Sequence, residues 1–189
     1  MSYIKYFICF LFILIQTFYG LSQKYTKPVT RILFVFDGSR SMYGMWGKDS
    51  KFNIARDILI HMVDSLQTVD NVELALRIYG HQSQFPPQDC NDTKLEVPFG
   101  VKNGNLIKQK LYSIIPKGTT PIARSLEQSA KDFTDCQNCQ NIIILITDGI
   151  EECSGDPCLV SQALQKKGII LKPFIIGIDI DSKLKKMLR

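Results

Sequence analysis

Two short hydrophobic runs, each leading into an aspartate, constrain this chain more than any other feature. Residues 31–36 read R-I-L-F-V-F and pass directly into Asp37. Residues 142–146 read I-I-I-L-I and pass through Thr147 into Asp148. A strand with one wet face alternates apolar and polar residues, whereas a strand apolar on both faces belongs to a parallel sheet covered by helices. Residues 169–176 form a third such run, interrupted by Lys172 and Pro173. Residues 72–79 (V-E-L-A-L-R-I-Y) alternate, which predicts a strand with one less buried face. Residues 94–99 predict a short edge strand ended by Pro98.

Helical periodicity fills the gaps. Ala55, Ile58, Leu59, Met62, Val63 and Leu66 recur at three and four residues. So do Leu106, Ile107, Leu111 and Ile114, and then Ile122, Ala123, Leu126, Ala130 and Phe133, with Pro121 suited to a first turn. A fourth helix carries Leu159, Val160, Ala163 and Leu164, opened by Asp156-Pro157 and closed by Gly168. Alternating strands and helices predict an open, doubly wound, mostly parallel α/β sheet flanked by helices. A chain of 189 residues, 45% hydrophobic and 22% charged, has room for one such domain and short extras. Its net charge of +5 is scattered, and the basic clusters at 166–167 and 183–189 read as solvated helix ends. Nucleic acid is excluded as a partner class.

The first 22 residues have the layout of a secretory signal peptide: Lys5, an apolar run over 6–15, then small and polar residues with a cleavage site at Gly20-Leu21-Ser22. The alternative is a membrane anchor, but the apolar core falls short of the roughly 20 residues that span a bilayer. The expected organisation is a signal peptide over 1–22, a linker over 23–29 and one domain over 30–189, with no membrane span after cleavage. The product would be exported to the periplasm, cell surface or medium. Leu184, Met187 and Leu188 begin what reads as a new helix before the end at Arg189, so the domain is expected to be incomplete there.

Of six cysteines, Cys9 would leave with the signal, and the exported chain would keep Cys90, Cys136, Cys139, Cys153 and Cys158. An exported protein can hold disulfides, and an odd count leaves one thiol over. Cys136 and Cys139 precede the second apolar strand; Cys153 and Cys158 follow it. A strand of five or six residues separates its ends by about 17–20 Å, which argues against one four-cysteine zinc site. Local pairs Cys136–Cys139 and Cys153–Cys158 are expected. Cys90, at the same edge as the second pair, could displace either of its members. A redox role for Cys136-x-x-Cys139 is the weaker reading, since the motif opens no helix.

Asp37-Gly38-Ser39-Arg40-Ser41 leaves the first strand and Thr147-Asp148-Gly149 the second. Open α/β sheets bind ligands at the carboxyl ends of their strands, where strand order reverses. Two carboxylates meeting there repel unless a cation lies between them. Carboxylates and hydroxyls are hard oxygen donors suited to magnesium, calcium or manganese, and the absence of histidine and cysteine from these motifs argues against zinc. Thr120, in the turn before Pro121, is either a third contributor or a plain helix N-cap. Asp-Gly pairs at strand ends are commonly turns. Each motif alone is weak; all three in order are stronger.

Asp37-x-Ser39-x-Ser41, then Thr120, then Asp148-Gly149 resembles the metal-ion-dependent adhesion site of von Willebrand factor type A domains. The resemblance covers residues 30–179. It is nearest to bacterial exported members, through residues 37–44 (D-G-S-R-S-M-Y-G), Tyr79-Gly80-His81, residues 118–123 and residues 147–158. It implies that Ser39, Ser41 and Thr120 bind one Mg2+ through hydroxyls, with Mn2+ or Ca2+ as substitutes, and that Asp37 and Asp148 hold it directly or through water. It also implies an open coordination position for an acidic residue of a protein partner. Arg40 stands where many relatives carry glycine and places a cation beside the site.

Arg40, His81 and Glu151 are candidate partner contacts. For His81 the competing reading is a hydrogen-bonded loop residue, for Glu151 and Glu152 a solvated acidic loop, and His61 reads as structural. The expected function is metal-dependent protein binding without catalysis. The alternatives are a magnesium-dependent hydrolase, which lacks a nucleophile–base pair, and an envelope domain whose metal only stabilises the fold. A nucleotide site is disfavoured because no Gly-rich phosphate loop follows the first strand.

Overall fold

A computed structural model describes residues 27–175. The expected signal peptide, most of the linker and the expected C-terminal helix lie outside the described residues.

Five strands form one sheet in the order β5-β4-β1-β6-β7. They are β1 (Val29–Asp37), β4 (Val72–Tyr79), β5 (Thr93–Gly100), β6 (Cys139–Thr147) and β7 (Ile169–Ile175). All neighbours pair in parallel except β5, an antiparallel edge. Four helices flank them: α1 (Lys51–Leu66), α2 (Gly104–Ser113), α3 (Ile122–Asp132) and α4 (Pro157–Lys166). The doubly wound α/β fold is thus present. A 3-10 turn (Arg40–Tyr43) and a two-residue hairpin, β2 (Met45–Trp46) with β3 (Asp49–Ser50), lie between β1 and α1.

The apolar runs follow from β1 and β6 lying inside the sheet. Ile32, Phe34 and Phe36 face Phe52, Ala55, Leu59 and Val63 of α1 and Ile107 and Leu111 of α2. Leu33 and Val35 face the other way, into Ile122, Leu126 and Leu164 of α3 and α4. Burying one such side chain contributes about 1.5–3 kcal/mol, so β1 anchors both halves of the core.

Three local expectations change. Both faces of β4 are buried: Arg77, on the face that reads as less buried, is 6% exposed and paired with Asp132 of α3. Strand β5 continues past Pro98 to Gly100, with irregular pairing against Leu74 and Leu76; an edge position and a bulge both spare the ladder a proline donor. Strand β7 likewise carries Pro173, with β6 as its one neighbour among the described residues.

Candidate metal centre

Strand β1 lies between β4 and β6, so the chain leaves it toward one half of the sheet and later returns on the other side. Asp37 ends β1, and Asp148 follows the last residue of β6. This is the switch point where α/β sheets hold ligands.

Asp37 is fully buried. Its Oδ1 accepts the Ser39 amide at 2.8 Å; its Oδ2 accepts the hydroxyls of Thr147 at 2.7 Å and Tyr79 at 2.9 Å. Burial raises its pKa above the ordinary carboxylate value; hydrogen bonds from Ser39 and Thr147 oppose the rise and the nearby Asp148 charge adds to it. The Tyr79 phenol is pushed up too, by burial and then by the Asp37 charge.

The hydroxyls and carboxylates form a continuous row. Ser39 Oγ lies 2.9 Å from Ser41 Oγ, and Ser41 Oγ donates to Asp148 Oδ1 at 2.8 Å. The other Asp148 oxygen, Oδ2, accepts the Lys51 ammonium at 2.8 Å.

Thr120 lines the same cleft as Ser41 because its loop is stitched to the Asp37 loop. Ser39 and Gly118 form an isolated parallel bridge; Arg40 N donates to Gly118 O at 2.9 Å and Lys117 N to Gly38 O at 3.0 Å. Gly118 fits because it lacks a side chain: a Cβ there would lie 2.7 Å from Ser83 O and 2.9 Å from Gly80 O. A Cβ on Gly149 would lie 3.7 Å from Thr120 Oγ1 and 3.8 Å from Asp37 Oδ2, so these two oxygens flank one spot. Thr120 is not the N-cap of α3; Pro121 holds that position without a side-chain cap.

The cap comes from elsewhere. Glu151 Oε2 accepts the Ala123 amide at 2.6 Å, while its Oε1 accepts the Cys153 amide at 2.8 Å. Glu152 Oε2 accepts the Thr120 amide at 3.0 Å. Glu151 therefore ties the loop after β6 to the first turn of α3, and the loop is not merely a solvated acidic one.

His81 is a hydrogen-bonded residue of the loop after β4, in line with its competing reading. It is 8% exposed, and its Nε2 lies 2.9 Å from Glu96 Oε1. Lys94 and Lys110 converge on the same Glu96 carboxylate, at 3.1 and 2.9 Å. Burial pushes Glu96 up, but its bonds to His81, Lys110 and Lys94 prevail and bring it down to about 2. Neighbouring Asp92, 1% exposed, accepts the Gln82 and Ser83 amides at 2.9 Å each and organises the loop after β4.

Cys153 bonds to Cys90, not to Cys158 as expected. Their Cα atoms are 5.5 Å apart, although 63 positions separate them in sequence. The loops after β4 and β6 leave from the same sheet edge, which brings these two together. Cys158 instead sits in the first turn of α4, its amide held by Asp156 Oδ1 at 2.9 Å, with an exposed free thiol. Cys136 and Cys139 are bonded to each other at the opposite end of β6.

Arg40 is exposed and lines an open cleft of about 760 Å³ together with Ser41, Thr120, Phe85, Gln88 and Glu152. Among the described residues no three His, Cys, Asp or Glu side chains converge as a metal cluster. The oxygens gathered at this edge are a different kind of donor set: two carboxylates plus the hydroxyls of Ser39, Ser41 and Thr120. That chemistry fits a hard divalent cation and not zinc. Tyr79, Thr147 and Lys51 escaped sequence reasoning. The first two end strands adjacent to β1, so the sheet layer of Asp37 was their available signal; Lys51 had none.

The sequence model of the von Willebrand factor type A domain matches residues 32–188. The chain belongs to the von Willebrand factor type A (VWA) family. Its VWA sequence is similar to the uncharacterized protein YwmD of Bacillus subtilis (strain 168), with 31% identity over 159 residues, covering 82% of this chain and 70% of YwmD. It is 27% identical to YwmC of the same organism over 158 residues, 81% of this chain and 68% of YwmC. The fold is shared with the solved BatB of Bacteroides thetaiotaomicron: TM-score 0.62, 23% identity, 76% of this chain and 65% of that one. It is shared too with the manganese-loaded TRAP protein of Plasmodium vivax: TM-score 0.64, 19% identity, 84% of this chain and 61% of that one. The VWA chain thus spans less than two thirds of either solved chain. VWA domains generally mediate protein interactions rather than catalysis.

Proposed function

We propose that this VWA domain is an exported, metal-dependent protein-binding module. Ser39, Ser41, Thr120, Asp37 and Asp148 would hold one divalent cation as an adhesion site, Mg2+ by the hardness of the donors, with Mn2+ or Ca2+ as substitutes. When bound, the ion would supply an open coordination position for a carboxylate oxygen of a protein partner. The observation that carries the reading is the row Ser39 Oγ, Ser41 Oγ and Asp148 Oδ1, linked at 2.9 and 2.8 Å. The residues of this chain do the rest. Thr147, Tyr79 and the Ser39 amide hold Asp37 in one orientation. Arg40 offers a cation at the mouth of the cleft, suited to an acidic partner.

Residues 1–22 are proposed as a cleaved signal peptide, 23–29 as a linker and 30–189 as the VWA domain. No helix among the described residues is long and apolar enough to cross a membrane. Export agrees with the disulfides and with fold neighbours described as an aerotolerance-related membrane protein and a pilus adhesin.

The test is calorimetric titration of the exported chain with MgCl2 and MnCl2, beside an Asp148→Asn variant, followed by capture of envelope proteins with Mg2+ or with EDTA. Saturable metal binding lost in the variant, and capture lost in EDTA, are expected. Capture equal in both conditions rejects the interaction role. The full burial of Asp37 favours one second reading, a metal that only stabilises the fold; metal that raises Tm without changing capture would select it.

A further inference from the structure

We propose that Lys51 is a built-in monovalent cation of the metal site, which competes with the divalent ion for Asp148 and offsets part of the negative charge of the ion-free pocket. The inference rests on the metal-site reading above and adds to it a residue that sets its affinity.

The Lys51 ammonium lies 2.8 Å from Asp148 Oδ2, with side chains only 21% and 1% exposed. Both oxygens of Asp148 are therefore engaged, one by a hydroxyl and one by a cation. Lys51 is also the first residue of α1. A cation is disfavoured at a helix N-terminus, where the backbone dipole is positive, so its position needs a compensating anion. Asp148 is that anion.

The local backbone holds the lysine there. Lys51 N donates to Gly44 O at 2.8 Å, and Gly44 N to Ser41 O at 2.9 Å, which locks the start of α1 to the serine turn. A Cβ on Gly44 would lie 3.1 Å from Ser41 O and 3.4 Å from Lys51 Cε, so the glycine packs closely on the serine turn beside the lysine stem.

Charge balance gives the consequence. Two carboxylates and one ammonium leave the ion-free pocket with one net negative charge. A divalent ion takes the pocket to one positive charge, which favours an anionic partner group over water. The same ammonium repels the incoming ion across a part-buried site, where charges interact more strongly than in water. Neutralising it therefore strengthens metal binding and weakens the ion-free fold.

The experiment measures Mn2+ binding by the full exported chain, by calorimetry and by the electron paramagnetic resonance signal of free Mn2+, with Tm recorded in EDTA. Variants are Lys51→Met, which keeps the stem, and Lys51→Arg, which keeps the charge. Lys51→Gln is carried as a second neutral variant in case the apolar replacement fails to fold. The expected result is Mn2+ binding about tenfold tighter in the neutral variants, near wild type in Lys51→Arg, with a lower Tm in EDTA for the neutral variants alone. Neutral variants that bind Mn2+ with unchanged or weaker affinity overturn the competition, while wild-type binding leaves the metal reading intact. No Mn2+ binding by any form overturns both.

Discussion

Ser41 and Asp148 are 107 positions apart in the chain, yet Ser41 Oγ donates to Asp148 Oδ1 at 2.8 Å. That bond joins the motif after β1 to the motif after β6 and makes one site of two strand ends. Ser41→Ala removes both this bond and a proposed metal donor. Mg2+ affinity should fall by at least about 10–100-fold, the range for losing a group that only orients a metal ligand. The ion-free fold should lose about 2–4 kcal/mol, for two hydrogen bonds of which one goes to a carboxylate. Calorimetry and denaturant titration in EDTA separate the two effects.

The Cys90–Cys153 bond closes a long loop across the proposed metal edge. Cross-linking a loop of that length contributes about 4 kcal/mol on the chain-entropy account. Cys90→Ser with Cys153→Ser should lower Tm clearly, whereas Cys158→Ser should leave it unchanged. Non-reducing peptide mapping should return a Cys90–Cys153 peptide and an alkylated Cys158.

Arg77 donates to both oxygens of Asp132 at 2.7 and 2.8 Å, with side chains 7% and 9% exposed. Replacing Arg77 by Met leaves the Asp132 charge buried without its partner. Such a change costs about 3–5 kcal/mol. Urea unfolding should show it as a lower midpoint at unchanged slope, with Mg2+ affinity near wild type because the pair lies away from the metal edge.

Glu96 supplies a pH dependence whose sign is fixed by its lowered pKa. The folded carboxyl titrates at about 2 against an ordinary value of 4.5. Its stabilising effect is fully present above pH 4.5 and is lost as pH falls toward 2. Wild type should therefore exceed Glu96→Gln in stability at neutral pH, and the gap should narrow across that window. A gap that stays constant from pH 6 to pH 2.5 in chemical denaturation would contradict the assignment.

The sheet was legible because burial on both faces writes itself into consecutive residues. Residues 31–36 and 142–146 announced β1 and β6, and helix periodicity announced α1 to α4. Arg77 misled because a charged residue at an alternating position reads as a wet face, while Asp132 pairs with it from another element. The metal-site candidates were legible as a family pattern. The partners of His81 and Glu151 were not, because Glu96 and the α3 amides that engage them lie on other elements.

The sequence by itself determined the strand and helix order, the two aspartates at strand ends and the hydroxyls beside them, since each follows from patterns within a few residues. Only the tertiary structure decided that Cys153 meets Cys90, that Tyr79 and Thr147 hold Asp37, and that Lys51 reaches Asp148. Those choices depend on which loops emerge from one edge of a parallel sheet. Pairing in the sheet sets that edge, and it brings together residues separated by 42 to 110 positions.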